Sequence, residues 1–294
     1  MPEIAMAGRM ARRAMRDGAR GTVRAVFDRS FYIDLDEQWI CLGPRTLGAG
    51  PLNALWNDSG AVRLPRRGDP VSVGAGTLVI AATPFAHVRL GPELPPAVPR
   101  RWMAASLARG LRQLERVAEP AAPGEGLESL ISGRVGGSPC ALAARTPVAY
   151  LNELVLSRTR EGCVPDFDPA KLVPLVGLGP GLTPSGDDLL GGALVALTAI
   201  GLLDLRDAIW TGLRPHAAAR TNDIARAHLA AAAEGECAAA LDEAVEALLS
   251  GGLGLAPAVR AVAAVGHTSG WDALAGVVIV LRAAAAGQAS AEAA

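Results

Sequence analysis

Two adjacent carboxylates and two hydroxyls stand together in a glycine-rich stretch of this chain. Residues 177–192 read GLGPGLTPSGDDLLGG, so that Thr183 and Ser185 precede Asp187 and Asp188. The apolar residues that follow predict a helix that begins here, with the carboxylates in its first turn. Glycines at this density indicate positive φ angles or a close approach of backbone to a ligand, while the prolines limit the freedom of the loop. The stretch is therefore the first candidate for a site.

The charges of this loop narrow the choice of ligand. Free N–H groups and the helix dipole at a helix start favour an anion, but Asp187 and Asp188 would repel a bare phosphate. The loop also lacks the lysine of a Walker motif, because Lys171 is the only lysine in the chain. Two ligands stay open: Mg²⁺ held by both carboxylates and bridging to an oxyanion, or a neutral amide or carbamoyl NH₂ that donates to them.

The second half of the stretch recurs later in the chain. SGDDLLGG, which begins at Ser185, matches SGWDALAG, which begins at Ser269, as S-G-x-D-x-L-x-G. Simple capping explains much of both copies, because a serine can accept from the N–H of the third helical residue and an aspartate favours the positive helix end. The alternative is that the two helices pack side by side and bring Asp188 and Asp272 to one shared end.

Small residues one turn into each copy support the shared end. Gly191 and Gly192 in the first copy and Ala275 and Gly276 in the second would permit a short distance between the helix axes. Two converging helix starts would also concentrate positive potential in one polar pocket. Polar residues from neighbouring elements could reach into this pocket, namely Thr221, Asn222 and His267.

Two further segments are weaker candidates. Arg220-Thr221-Asn222-Asp223 offers a guanidinium, a hydroxyl, an amide and a carboxylate, although Thr221 could simply cap a helix. His267 precedes the second copy at a helix start, where the dipole favours a neutral imidazole. We predict Asp187 and Asp188 as catalytic residues and as candidate ligands of Mg²⁺. The predicted substrate-binding residues are Gly179, Gly181, Thr183, Ser185, Gly186, Arg220, Thr221, Asn222, His267, Ser269 and Asp272.

Composition excludes several functional classes. The 294 residues carry a net charge of −1 with both signs well mixed, which argues against binding to nucleic acid or to an anionic membrane. The four cysteines form no C-x-x-C pair and predict reduced thiols rather than a zinc or redox site. The N-terminal residues lack the apolar core of a secretory signal and predict a surface helix. The longest apolar runs, Leu189–Leu203 and Ala273–Leu281, are shorter than the ~20 residues of a membrane span, so we expect a cytoplasmic protein.

The pattern of apolar residues changes near residue 95. Short β-branched or aromatic runs up to residue 90 predict a small antiparallel β barrel or sandwich in residues 1–95. The proline-rich segment Gly91–Pro99 then ends this pattern. Spacings of three and four predict a compact all-α domain in residues 96–294, so the fold class is α+β. The predicted strands are 22–27, 31–34, 39–42, 61–64, 70–73, 78–82 and 85–90, and the predicted helices are 103–118, 139–158, 169–176, 186–203, 216–233, 238–249, 256–265 and 271–286.

The decapeptide GPGLTPSGDD, which begins at Gly179, resembles the signature of a bacterial family catalogued as a domain of unknown function. This family includes the AllH-type subunit of oxamate carbamoyltransferase. Further stretches of the chain are similar to other regions of the family. They are Val26–Arg29 (with Ala25 where the family has serine), Gly48–Asn53, Arg220-Thr221 with Ala231–Gly235, and Gly266–Asp272.

The resemblance implies a part in carbamoyl transfer. The implied reaction converts oxalurate and phosphate to oxamate and carbamoyl phosphate during allantoin degradation, a branch of purine catabolism. It also implies a complex with two other protein subunits, one of them similar to acyl-CoA synthetases, and leaves a related acyl substrate open. Two alternatives remain from the residues themselves: a stand-alone Mg²⁺-dependent hydrolase of a small amide or glycosidic bond, and a non-catalytic scaffold or regulatory subunit.

Overall fold

A computed structural model describes most of the chain, namely residues 3–57, 62–81, 83–86, 98–118, 124–133, 138–164 and 166–292. The chain divides into two units, Met1–Pro95 and Pro96–Ala294. The first holds a barrel-like sheet and the second is helical, which confirms the predicted α+β class. Most of the predicted boundary segment Gly91–Pro99 lies outside the described residues.

The first unit is built on an eight-stranded sheet with the order β1-β5-β4-β3-β2-β6-β7-β8. Alternation explains its core, since Phe31, Ile33 and Leu35 on one strand are all fully buried. Neighbouring strands are antiparallel except β4 and β5, which pair in parallel, a departure from the purely antiparallel prediction. The strands are β1 (Ile4–Ala7), β2 (Arg20–Val26), β3 (Phe31–Leu35), β4 (Gln38–Pro44), β5 (Asn53–Trp56), β6 (Pro70–Gly74), β7 (Thr77–Ile80) and β8 (Thr83–Ala86).

Two strands of this unit were missed and one predicted strand is absent. Strand β1 lies ahead of the first predicted strand, and strand β5 was missed because its four residues show no alternation of apolar and polar side chains. Residues 62–64 form no strand, although Val62 and Leu64 pack against the core. The predicted N-terminal surface helix is present as α1 (Arg9–Ala14), in which Arg13 is exposed while Ala11 and Ala14 are fully buried on another face. The predicted strand positions 61, 82 and 87–90 lie outside the described residues.

The second unit packs its helices around one apolar core. Its helices are α2 (Ala104–Ala118), α3 (Pro139–Glu161), α4 (Ser185–Ala199), α5 (Leu203–Arg220), α6 (Asp223–Ala233), α7 (Ala239–Leu249), α8 (Leu255–Ala263) and α9 (Ser269–Glu292). The predicted helix 169–176 is instead two 3₁₀ turns, Pro169–Lys171 and Val173–Leu175, because prolines interrupt the run. The predicted helix 216–233 is the end of α5 followed by a separate α6.

Helices α4 and α9 contact each other at two glycines. A Cβ added to Gly192 would lie 1.9 Å from the Ala273 carbonyl oxygen, and one added to Gly276 would lie 1.9 Å from the Leu189 carbonyl oxygen. These positions lie at matching depths from the two helix starts, so the helices run in the same direction. Only glycine permits this approach, which confirms the predicted role of Gly192 and Gly276, whereas a Cβ on Gly191 would meet the Ala232 side chain on α6.

Helix α9 is also the one described helix that is long and apolar enough to cross a membrane by length and composition. Within its most apolar window, 61% of the helix is buried inside the protein. Burial of this kind is what a core helix of a soluble protein requires, since a helix that is apolar all round must be covered by other helices or by lipid.

Candidate site at two paired helix starts

Helices α4 and α9, which carry the two S-G-x-D copies, begin at one place. The Ser185 hydroxyl at the start of α4 lies close enough to the Asp272 carboxyl on α9 to lower its pKa. The Ser269 hydroxyl at the start of α9 lies close enough to the Asp188 carboxyl on α4 to lower the pKa of that carboxyl. Thr183 Oγ1 is 2.8 Å from Ser269 Oγ. Each serine hydroxyl thus lies beside the carboxyl of the other copy. The predicted shared end of the two helices is confirmed.

The predicted role of Ser185 as a cap of its own helix was wrong. Helix α4 begins at Ser185 itself, and Pro184 occupies the N-cap position with extended backbone and no side-chain cap bond. The hydroxyl is therefore free to turn across to Asp272. Ser185 therefore contacts helix α9 instead of capping its own helix α4.

The likeness of the two copies continues upstream, where their sequences differ. A Cβ on Gly186 would lie 2.0 Å from the Leu175 carbonyl oxygen, and one on Gly270 would lie 2.0 Å from the Val262 carbonyl oxygen. The N–H of each of these glycines also donates into the turn that it presses against. Both helix starts thus pack against the preceding turn in the same way. The repeat is therefore present in the structure as well as in the sequence.

The loop before α4 has the backbone that its glycines predict. Gly177, Gly179 and Gly181 have φ angles of +75°, +108° and +95°, which side chains other than glycine rarely adopt. A Cβ on Gly177 would also lie 2.0 Å from the Arg220 carbonyl oxygen, whereas one on Gly181 would meet open space. The loop is therefore fixed at its first glycine and open to solvent at its last.

Several backbone N–H groups of this loop have no hydrogen-bond partner among the described residues. They lie within six residues of each other and lead directly into α4, where the helix dipole adds positive potential. Donors in this arrangement can receive an anionic or carbonyl oxygen. The groups are the N–H of Gly179, Gly181, Leu182, Thr183 and Ser185.

Asp187 braces this loop from within the first turn of α4. Its Oδ1 accepts from the Gly177 N–H at 3.0 Å, and its Oδ2 accepts from the Thr221 hydroxyl. The residue is only 3% exposed. Burial raises the pKa of this carboxyl, against the Thr221 and Gly177 bonds, which lower it. Both oxygens of this predicted catalytic residue are therefore already used by the protein.

Among the carboxyls of Asp187, Asp188 and Asp272, that of Asp188 has the most strongly raised pKa. Burial raises its pKa well above the ordinary value, and the charges of Asp272 and Asp187 raise it further, while the Ser269 and Thr183 hydroxyls act in the opposite direction. Its Oδ2 is buried and has no hydrogen-bond partner among the described residues. The residue as a whole is half-buried. Asp188 is thus the least enclosed of the three carboxyls and still has unused bonding capacity.

Asp272, the counterpart of Asp188, is fully buried. Its Oδ1 accepts from the Leu127 N–H at 2.6 Å. Burial raises its pKa, while the Leu127 N–H and the nearby Ser185 and Thr268 hydroxyls lower it. Its Oδ2 is buried without a partner in the described part of the chain. Sequence reasoning missed Leu127 and Thr268, because a backbone N–H and a lone threonine leave no pattern to find.

The segment 220–223 meets the loop, but its residues are used differently from the prediction. Asn222, not Thr221, caps α6, since its Oδ1 accepts from the N–H groups of Ile224 and Ala225, 3.0 Å away in each case. Its Nδ2 donates to the Leu182 carbonyl oxygen at 2.9 Å. Thr221 is left to bond Asp187. The exposed side chain of Arg220 lies outside this network, and its backbone contacts Gly177.

His267 lies in the turn before α9 and is exposed. Its Nε2 is 2.8 Å from Glu125 Oε2, and that carboxylate is exposed as well. The contact with Glu125 explains the position of the His267 imidazole, and no ligand is needed to explain it. Of the predicted site residues, His267 and Arg220 are thus brought near the cluster without being joined to it.

The donors of this cluster do not suit an Mg²⁺ ion held by both predicted carboxylates. Mg²⁺ demands nearly ideal octahedral oxygen ligands, and Asp187 has given both of its oxygens to Gly177 and Thr221. Within the described residues, no three His, Cys, Asp or Glu side chains are grouped as metal ligands would be. The arrangement better matches recognition of a polar organic group by one carboxyl and a set of N–H donors.

The family resemblance is confirmed over the part of the chain that holds this cluster. Residues 175–281 match the family model for the oxamate carbamoyltransferase subunit AllH. This segment contains both S-G-x-D copies, the glycine loop, Arg220-Thr221 and His267. The resembling stretches near residues 26 and 48 lie outside it. No curated protein and no solved structure matched the chain.

Proposed function

We propose that this chain is a subunit of a carbamoyltransferase whose substrate binds at the paired starts of α4 and α9. The observation that carries the proposal is the position of the half-buried Asp188 beside a glycine loop whose N–H groups are unused. This cluster lies inside the segment that matches the AllH family. An acceptor for an NH₂ group and donors for an oxygen are what a carbamoyl group requires.

The reaction that we propose joins phosphate to the carbamoyl group of oxalurate. A phosphate oxygen attacks the carbamoyl carbon, the bond from that carbon to the oxamate nitrogen breaks, and the nitrogen takes the proton that the phosphate loses. Negative charge develops on the carbamoyl oxygen in the transition state, and preorganised N–H donors stabilise such charge. The N–H groups of the 179–185 loop are the donors in this proposal.

Side-chain roles follow from the bonds that are already made. Asp188 binds the carbamoyl NH₂, and the Thr183 hydroxyl, which is 2.8 Å from Ser269 Oγ, can turn toward the oxyanion. Ser185 is a weaker donor to the substrate than its sequence position predicts, since its hydroxyl already serves Asp272. Asp187 acts as a positioning residue that holds the loop through Gly177.

The proposal places the chain in a cytoplasmic complex with two further subunits, one of them similar to acyl-CoA synthetases, in allantoin degradation. The test is an assay of the purified chain with oxalurate and phosphate, with and without the proteins of its genomic neighbours. We expect carbamoyl phosphate only when the partners are present. Metal-dependent hydrolysis of a small amide by the chain alone would instead support the hydrolase.

One observation favours a scaffold role as the second candidate. The carboxyls of Asp187 and Asp272 each tie a distant loop to a helix start, through Gly177 and Leu127 respectively. Bracing of this kind needs no substrate. An Asp188→Asn complex that retains full turnover would favour the scaffold, whereas loss of 10²-fold or more, the usual range for a catalytic acid or base, would support the catalytic proposal.

A further inference from the structure

Asn222 connects the start of α6 to the glycine loop through the two ends of its side-chain amide. Its Oδ1 accepts from the N–H groups of Ile224 and Ala225, and its Nδ2 donates to the Leu182 carbonyl oxygen at 2.9 Å. These partners fix which amide atom is which, since N–H groups need an acceptor and a carbonyl needs a donor. Capping uses only the oxygen, and an aspartate or a serine supplies it equally well. The contact of Nδ2 with the loop is therefore a separate function of this side chain.

The Leu182 carbonyl belongs to the same peptide group as the Thr183 N–H. The peptide bonds of the described residues are trans, and the C=O and N–H of a planar trans peptide point in opposite directions. A carbonyl that is held toward Asn222 thus turns the Thr183 N–H away from it. This N–H has no hydrogen-bond partner among the described residues. Asn222 therefore fixes the direction of an unused donor that it does not itself contact.

This peptide is attached to two helices, one on each side. Its carbonyl is bonded to Asn222 at the start of α6, and Thr183 Oγ1 lies 2.8 Å from Ser269 Oγ at the start of α9. The residue before it resists rotation little, because Gly181 is exposed and a Cβ there would meet open space. The orientation of the 182–183 peptide thus depends on its bonds to the two helices and not on packing of the loop.

We infer that Asn222 is a positioning residue that directs the Thr183 N–H as an oxyanion donor. The inference rests on the proposed function, in which the N–H groups of the 179–185 loop stabilise the charge on the carbamoyl oxygen. Such donors act because they are already oriented before the charge develops. Loss of the Nδ2 bond frees the peptide to rotate and removes this orientation. The effect falls on kcat and not on KM, since the charge is present only in the transition state.

Three substitutions separate the two ends of the amide. Asn222→Ser and Asn222→Asp keep a capping oxygen and remove Nδ2, whereas Asn222→Ala removes both groups. The control is Asp223→Asn at the same helix start, where the carboxylate pairs with Arg226 at 2.8 Å. Thermal melts measure the cap. We expect the alanine variant to lose about 2–4 °C of melting temperature, and the serine and aspartate variants to lose clearly less.

The orientation of the peptide is measured on the full chain by ¹⁵N relaxation of the Thr183 amide. The parent and Asp223→Asn should show the order parameter of a rigid amide, about 0.85, and all three Asn222 variants a value below about 0.6. An order parameter that stays at the parent value in Asn222→Ser and Asn222→Asp would overturn the inference, because the peptide would then be held without Nδ2.

Turnover of oxalurate and phosphate by the complex with its partner subunits is the second measurement. Removal of one oxyanion donor costs about 10²–10³-fold in kcat, so we expect a loss of at least tenfold in all three variants, with KM for oxalurate within threefold of the parent. A loss confined to Asn222→Ala would assign the residue to capping alone and overturn the inference. A parent complex that forms no carbamoyl phosphate would refute the proposed function instead, and the order parameters would still decide whether Asn222 positions the peptide.

Discussion

The two S-G-x-D copies share one backbone arrangement and differ in what precedes it. In the first copy five residues separate Gly179 from Ser185, whereas in the second only two separate Gly266 from Ser269. The longer connection presents unused N–H groups and leaves Asp188 half-buried. The shorter connection also leaves N–H groups without a partner among the described residues, those of His267, Thr268 and Ser269, but its carboxyl is enclosed.

The two copies therefore differ in what surrounds their carboxyls. The carboxyl of Asp272 is enclosed by protein, whereas that of Asp188 lies beside the loop that we propose as a ligand site. Asp272 accepts the Leu127 N–H, and a Cβ on Gly126 would lie 2.4 Å from its Oδ1, so the segment 126–127 covers it completely. Asp188 receives no backbone donor and is only half-buried, although each of the two carboxyls keeps one oxygen without a partner among the described residues. The same four-residue motif therefore serves anchoring in one copy and, in our proposal, recognition in the other.

We expect the largest effect from a substitution that disrupts the packing of α4 against α9, to which both copies contribute. Gly192→Ala places a Cβ 1.9 Å from the Ala273 carbonyl oxygen, and backbone cannot yield as a side chain can. We expect a loss of about 3 kcal/mol or more in the free energy of unfolding, measured by chemical denaturation.

Gly191→Ala is the matched control for this substitution. Its Cβ would meet only the Ala232 side chain at 3.8 Å, an ordinary contact. Replacing a mid-helix glycine by alanine should then leave stability unchanged or raise it by up to about 1 kcal/mol. Equal effects of the two substitutions would show that α4 and α9 do not pack through Gly192.

The second effect concerns the loop that only the first copy has. Gly177→Ala meets both a φ of +75° and the Arg220 carbonyl oxygen at 2.0 Å, whereas Gly181→Ala meets a φ of +95° in open space. The strain of the left-handed region alone costs about 1–2 kcal/mol, so Gly181→Ala should lose that amount and Gly177→Ala clearly more. The two melting curves measure the difference, and reversal of this order would contradict the loop geometry.

Much of this arrangement could be predicted from the sequence because it depends on local chemistry. Positive φ at the loop glycines follows from residue type. The pairing of α4 with α9 follows from glycines at equal depth in two matching segments. These features need only a few neighbouring residues.

The rest depended on contacts between distant parts of the chain. Ser185 looked like a cap, and only the position of α9 shows that its hydroxyl serves Asp272. Thr221 and Asn222 are both good caps, and the choice between them was decided by Asp187, which takes the threonine. In the sheet, the parallel pairing of β4 with β5 involves a connection whose path no local pattern specifies.

The third effect distinguishes Asp188 from an ordinary surface aspartate. Burial raises the pKa of Asp188, so its ionisation costs stability as the pH rises above the unfolded value near 4. Asp188→Asn should therefore be more stable than the parent at pH 8, by about 1.4 kcal/mol for each unit by which the pKa is raised. The gain should shrink as the pH falls toward 4.

Asp204 provides the control of opposite sign. Slight desolvation would raise its pKa, but the bonds from Arg158 and the Leu205 N–H outweigh this and lower it. Its contribution is therefore present at neutral pH and is lost only as the pH falls from about 4 through the lowered folded pKa. Asp204→Asn should be slightly less stable than the parent at pH 8, with a difference that narrows only in stronger acid. Thermal melts carried from pH 8 to below pH 3 compare the two, and a loss of stability for Asp188→Asn at pH 8 would contradict the raised pKa.

The smallest effect tests whether the serines serve their own copy or the other one. Ser185→Ala should cost about 1 kcal/mol whether it removes a cap or a bond to Asp272, so the single variant decides nothing. Double-mutant cycles decide it, because they isolate the pairwise energy. The structure predicts coupling of about 0.5–1 kcal/mol between Ser185 and Asp272 and between Ser269 and Asp188, and none between Ser185 and Asp188. Coupling within a copy, and not across, would restore the capping interpretation of the two serines.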